Sequence, residues 1–240
     1  MTPDPADIPV TELAARAMVR LIPTAYAKPP VLGPLADTDE DLAALAELEA
    51  LTNRRQIGER GGLSDLDPRE LAFRARALGL QRWGHTHVNA AFLYTRAGGS
   101  RFNDEGRGAW YCAFDDLTAL AEVGYHRTRE LAFTQCYEDQ AIYQALLADF
   151  IGPFPDLRDM AGPLACLDAD PAKGYPAGQK VARALRDQGH SGVLYPSARH
   201  PDGECLAVFV PQSVQNVRPG AKWVMEWSGS PDYSVTPNPD

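Results

Sequence analysis

Three things are scarce in this sequence, and each scarcity removes a class of function. No Cys-x-x-Cys pair occurs among Cys112, Cys136, Cys166 and Cys205. Zinc sites draw their ligands from close pairs, so neither a structural zinc nor any other metal site is expected. Two disulfides are formally open, but the plainer expectation is four reduced cysteines acting as small buried hydrophobes. No apolar run approaches the ~20 residues of a membrane span. The N-terminal MTPDPADIPV has neither a basic region nor an apolar core, so no signal peptide is expected. Positive charge is also short: 23 Lys and Arg stand against 32 Asp and Glu, a net −9. Nonspecific binding to nucleic acid or anionic membrane needs a basic surface. The expectation is a cytoplasmic protein that binds neither directly, although a small basic pocket stays compatible.

What is present suffices for a folded domain. At 240 residues and 45% hydrophobic, the chain can bury roughly 70% of its unfolded surface. Residues 10–22 read as a short helix running into a strand. Thr38 and Asp41 stand in capping-box spacing before Leu42, Leu45 and Leu48, an acidic amphipathic helix. Asp67, Pro68 and Glu70 open a second, basic helix that stops at Gly79. Together they suggest a helical hairpin inserted at about 38–82. Residues 88–94 and 109–114 read as strands around a glycine-rich loop, AGGSRFNDEGRG. Asp115 or Asp116 caps a helix over about 116–130, and 141–150 fits strand or helix. A helix opened by Tyr175-Pro176 stops at Gly189, and strands follow at 192–196 and 205–211. Residues 228–240, rich in Pro, Ser and Asp, read as a flexible tail. Short strands with few helices between them favour an α+β fold, with residues 1–227 as one domain.

Chemistry has several candidate seats. The glycine-rich loop carries Arg101 and Arg107 and could cradle an anion, though it also fits a plain β-hairpin turn. His85 and His87 could ligate a metal but lack a third ligand at a diagnostic spacing, which favours a surface loop. Ser197 could be a nucleophile near His200, or simply cap a turn, since the G-x-S-x-G elbow is missing. Glu122 could be an ordinary helix glutamate, and Tyr111 an ordinary sheet residue.

Taken in order, GSRFN, AWYCAF, TALAEVGYHR and GVLYPSARHPDGECLAVF resemble the RES-domain family, named for an Arg, a Glu and a Ser. Arg101 matches the arginine of its Gly-Gly-Arg-Trp-Asn-like turn, with Phe102 in place of the commoner Trp. Tyr111 follows ten residues on, Glu122 a further eleven, and Ser197 lies in the Pro-Ser-x-Arg turn. Arg20, in VRLIP, matches an upstream arginine. The separation between Arg20 and Gly99 is wider than in compact members, and the suggested hairpin falls inside it. The resemblance implies an ADP-ribosyltransferase-like core with a mixed sheet. It also implies a toxin of a toxin–antitoxin pair that cleaves the nicotinamide–ribose bond of NAD, by hydrolysis or phosphorolysis. NAD would be substrate, with no cofactor. The implied partner is a separate antitoxin chain with a helix-turn-helix region; homo-oligomerisation stays open. Arg20, Arg101, Tyr111 and Ser197 would bind NAD, and Arg101, Tyr111, Glu122 and Ser197 would serve the reaction. Two other readings stand beside this one: a mono-ADP-ribosyltransferase that modifies a cellular protein, and a non-catalytic module that binds antitoxin or nucleotide.

Overall fold

A computed structural model describes residues 2–26, 65–71 and 83–239. Among these, seven strands and three α-helices carry the fold. The strands are β1 (Val10–Pro23), β2 (Trp110–Ala113), β3 (Glu138–Pro155), β4 (Gly192–Pro196), β5 (Glu204–Val208), β6 (Gln215–Ser228) and β7 (Tyr233–Pro237). The helices are α1 (His85–Leu93), α2 (Asp116–Thr134) and α3 (Pro171–Asp187). One sheet holds all seven strands in the order β4-β5-β2-β1-β3-β6-β7. The α+β class holds, but every strand pair is antiparallel rather than mixed. The reason is topological. Helix α2 links β2 to β3, and β1 sits between them and pairs antiparallel with both. A single parallel bridge, Asp156 to Leu194, brings the end of β3 back to β4 and curls the sheet.

The first strand decides which side chains face which layer. Residues 10–22 are strand throughout, with no helical start. A bulge falls between Ala15 and Met18, where Ala17 takes φ 60° and its N–H donates to Asp149 Oδ1 at 2.8 Å. The extra residue flips the side-chain alternation. Leu13 and Ala15 before the bulge share one core layer with Met18 and Ile22 after it. Val19 and Leu21 pass to the other layer, beneath α2 and α3.

Two other expectations give way, and one open alternative is resolved. Residues 88–93 lie in helix α1, not in a strand, and Tyr94 is its C-cap: Val88, Ala91 and Phe92 are buried at helical spacing. The ambiguous 141–150 lies inside the 18-residue strand β3. The expected flexible tail carries β7, paired with β6 from Trp223↔Pro237 to Trp227↔Tyr233. Its anchor is aromatic: Tyr233 lies 5.3 Å from the buried Trp227 and packs where a Cβ on Gly124 of α2 would come within 2.3 Å of its ring. The suggested hairpin at about 38–82 falls mostly outside the described residues. Within them, Asp67 and Glu70 do form the capping box, around a short 3-10 turn at Pro68–Glu70.

The remaining helices are fixed by their caps and small residues. Asp115 caps α2 by accepting from the Thr118 N–H, and Asp170 caps α3 by accepting from the Ala172 N–H. Helix α3 begins at Pro171, four residues before Tyr175. It presents Gly174 and Gly178 to Arg101; a Cβ on Gly178 would lie 2.2 Å from the Arg101 carbonyl oxygen.

Candidate active site

A cavity of about 260 Å³ opens between α1, α2 and the glycine-rich loop, above β1 and β2. Arg20, Arg101, Tyr111 and Glu122 all line it. Ser197 joins them through its hydroxyl, which donates to Glu122 Oε1 at 2.7 Å. Residues spread over nearly 180 positions therefore meet in one place.

Arg101 sits in the loop that joins α1 to β2, so the loop is not a β-hairpin turn. Gly98 and Gly99 take φ 75° and 70°, and a Cβ on Gly99 would lie 2.2 Å from the Asn103 carbonyl oxygen. Only glycine allows so tight a turn. Arg101 is 8% exposed; its Nη1 donates to the carbonyls of Cys166 (2.7 Å) and Asp168 (2.9 Å). Its guanidinium lies 5.7 Å from the centre of the Tyr175 ring. Arg20 donates to the Tyr111 carbonyl at 3.1 Å and lies 5.0 Å from the centre of the Trp110 ring. Burial lowers its pKa to about 10. Neither arginine forms an ion pair with a carboxylate among the described residues. Arg107, the other arginine of the loop, is not in the cavity. It points to Glu70, with contacts at 2.9 and 2.6 Å.

Tyr111 holds the loop. Its hydroxyl accepts from the Phe102 N–H and donates to Asn103 Oδ1, both at 2.9 Å. Its single proton is thus already committed, and its pKa is raised chiefly by burial. Ser197 ends β4 in a turn. Its Oγ accepts from the N–H groups of Arg199 (3.1 Å) and His200 (3.0 Å) while donating to Glu122. The His200 ring turns instead to Thr118 Oγ1, at 3.1 Å. Ser197 and His200 therefore do not form a nucleophile–base pair.

The cavity also recruits side chains that sequence reasoning did not name as site residues: Tyr94, Arg96, His126, Tyr175 and Arg199. His126 follows Glu122 by four residues, the spacing that shares a helix face. Burial first, and then Arg96, Arg129, Arg199 and Arg101, lower its pKa to about 4, so it is neutral near pH 7. Arg199 stacks on Tyr125 at 3.3 Å and donates to the Ala169 carbonyl at 2.6 Å. Arg101 and Arg199 thereby hold residues 166–169, just ahead of α3, from two sides. Arg199 stood inside the Pro-Ser-x-Arg turn; Arg96 had no signal in the sequence.

The arrangement is a partly buried carboxylate with one oxygen fixed, sharing a cavity with Arg20 and Arg101, whose charge no carboxylate among the described residues offsets. Such a site suits an anionic ligand that develops positive charge close to Glu122. His85 and His87 open α1, and among the described residues no group of three or more His, Cys, Asp or Glu is placed to hold a metal ion. No helix among them is long and apolar enough to cross a membrane.

Comparison with known proteins gives one family. The family model of the RES domain matches residues 44–228, more than half of the chain; Arg20 lies ahead of that span. No curated protein matches the sequence. Among solved structures, the M. tuberculosis MbcT–MbcA toxin–antitoxin complex contains a similar chain, at 18% identity and a TM-score of 0.36. The alignment covers 52% of this chain and 70% of that one.

Proposed function

The chain belongs to the RES domain family, and on that premise we propose that it cleaves the nicotinamide–ribose bond of NAD, on a fold of ADP-ribosyltransferase type. One observation carries the reading: Glu122, with Oε1 held by Ser197, shares a cavity with Arg20 and Arg101, which have no carboxylate partners among the described residues. NAD matches this polarity. Its pyrophosphate is dianionic, and its reacting ribose carbon becomes cationic as the bond breaks.

In the proposed mechanism Arg101 and Arg20 bind the pyrophosphate through the guanidinium N–H groups that backbone carbonyls do not take. The C1′–N bond breaks, and its electron pair leaves with nicotinamide, which becomes neutral. Glu122 stabilises the oxocarbenium-like ribose through its free oxygen and orients the acceptor. Water or phosphate then bonds to C1′ and releases a proton. Tyr111 fixes the Arg101 turn and offers its ring face to nicotinamide. Ser197 acts as a positioning group. We also read the chain as the cytoplasmic toxin of a toxin–antitoxin pair, inhibited by a separate antitoxin with a helix-turn-helix region.

The test is incubation of purified protein with NAD, followed by proton NMR with and without phosphate. Free nicotinamide with ADP-ribose, or with its phosphorylated product, supports the reading. Equal, slow release by wild type and Glu122→Ala contradicts it. Label from NAD retained on protein would instead indicate ADP-ribosyl transfer.

A further inference from the structure

We propose that Thr118 and His200 are positioning residues for Glu122, acting through a hydrogen-bond relay centred on the buried Thr118 beside the Ser197 turn; the proposal rests on Glu122 being the reactive carboxylate. Thr118 and Glu122 are four residues apart on one face of α2. Ser197 and His200 are three apart in the facing turn. The two elements meet in two parallel contacts: Ser197 Oγ to Glu122 Oε1 at 2.7 Å, and His200 Nδ1 to Thr118 Oγ1 at 3.1 Å.

The proton count fixes the direction of the second contact. Thr118 is fully buried, and its hydroxyl lies 2.8 Å from Asp115 Oδ2, the cap of α2. A carboxylate accepts and does not donate, so the single hydroxyl proton goes to Asp115. Thr118 Oγ1 must then accept from His200, which requires the proton on Nδ1. The relay runs His200 Nδ1–H to Thr118 O–H to Asp115. Asp115 also accepts from the Thr118 N–H at 2.8 Å, so the chain ends on a fixed helix cap.

Glycine permits the close approach. A Cβ on Gly203 would lie 2.6 Å from Thr118 Oγ1 and 3.0 Å from His200 Nδ1. Gly203 also accepts from the Ser197 N–H at 2.7 Å and donates to the His200 carbonyl at 3.1 Å. Turn and relay are thus one unit. The relay sets the angle at which the turn meets α2, and with it the reach of Ser197 to Glu122. Neither Thr118 nor His200 lines the cavity, so neither needs to touch substrate.

The experiment compares Thr118→Val, which keeps shape and loses the hydroxyl, with Thr118→Ser, which keeps the hydroxyl. Thr118→Val should lower kcat for nicotinamide release roughly 3- to 10-fold, the scale of one lost hydrogen bond, with KM for NAD nearly unchanged. Thr118→Ser should restore it. The double variant Thr118→Val/Ser197→Ala should be no slower than Ser197→Ala alone, because both act through Glu122. Unchanged kcat in Thr118→Val, or fully additive losses, would overturn the proposal. A second readout does not depend on activity. Nitrogen-15 histidine NMR, with His200 assigned by loss of its signal in His200→Asn, should show a proton on Nδ1 in wild type. A proton on Nε2 alone would overturn the relay. Wild type that shows Nδ1–H but releases no nicotinamide would overturn the assigned role of Glu122, and the positioning role with it, while leaving the hydrogen-bond geometry intact.

Discussion

Arg158 and Arg101 are both largely withdrawn from solvent, yet they are satisfied in opposite ways. Arg158 meets Asp156 through Nε (2.9 Å) and Nη2 (2.6 Å), and Glu204 through Nη1 (2.6 Å). Its hydrogen bond to Asp156, with further help from Glu204, pushes its pKa up. Arg107 is similarly matched by Glu70. Among the described residues, the hydrogen-bond acceptors of Arg101 are the carbonyls of Cys166 and Asp168, and that of Arg20 is the carbonyl of Tyr111. Carbonyl dipoles orient a guanidinium without cancelling its charge. Burying charge this way is costly unless something else supplies the counter-charge. The compensated arginines are matched within the fold, and the uncompensated ones are those to which the proposed function assigns the pyrophosphate. The molecule is acidic overall, at −9, which makes the local excess at the cavity more telling.

The widest separation between the two regions should come from the carboxylate. Glu122→Gln should slow nicotinamide release by about 10²–10⁴, with the thermal midpoint nearly unmoved. A comparable fall in both would make Glu122 a structural residue. Arg158→Ala should do the reverse, costing about 2–3 kcal/mol of stability because it strands Asp156, while KM for NAD holds. Chemical denaturation and steady-state kinetics on the same samples measure both. Removing residues 229–240 should cost about 2 kcal/mol by uncovering Trp227 and the Gly124 face of α2. A truncated chain as stable as wild type would show that β7 lends the site no support.

The smallest effect concerns pH. Burial alone would raise the pKa of Asp149, but hydrogen bonds from Asn216, the Ala17 N–H and Arg218 outweigh it and lower the value to about 2. The folded pKa is below the unfolded one. The stabilisation is therefore complete above about pH 4 and lost as pH falls through about 2. Asp149→Asn should cost about 1 kcal/mol near pH 7 and converge on wild type in acid.

Legibility followed the scale of the signal. The α+β class, the caps Asp115 and Asp67, and strands β2, β4 and β5 could be read locally. The residues singled out from the four ordered motifs do meet at one cavity. Helix α1 was misread because VNAAFLY is short and rich in residues that suit a strand, although Val88, Ala91 and Phe92 already had helical spacing. Strands β6 and β7 were hidden by Pro219 and by a polar tail whose order depends on Tyr233 meeting Gly124. That contact spans more than a hundred residues and has no local signature. The antiparallel sheet was equally non-local, since it depends on β1 entering between β2 and β3. Roles were harder to read than membership. The sequence leaves Ser197 open as a nucleophile, whereas its hydroxyl donates to Glu122 and accepts from the Arg199 and His200 N–H groups.

The central question is whether the uncompensated arginines form the dinucleotide subsite. The direct measurement is calorimetric titration of NAD into Glu122→Gln protein, in which the expected slow turnover leaves NAD intact, with Arg101→Ala or Arg158→Ala added. Arg101→Ala should weaken binding about 10- to 100-fold, the worth of hydrogen bonds to a charged group, and Arg158→Ala should leave it within about twofold. Equal affinities for the two variants would contradict the account.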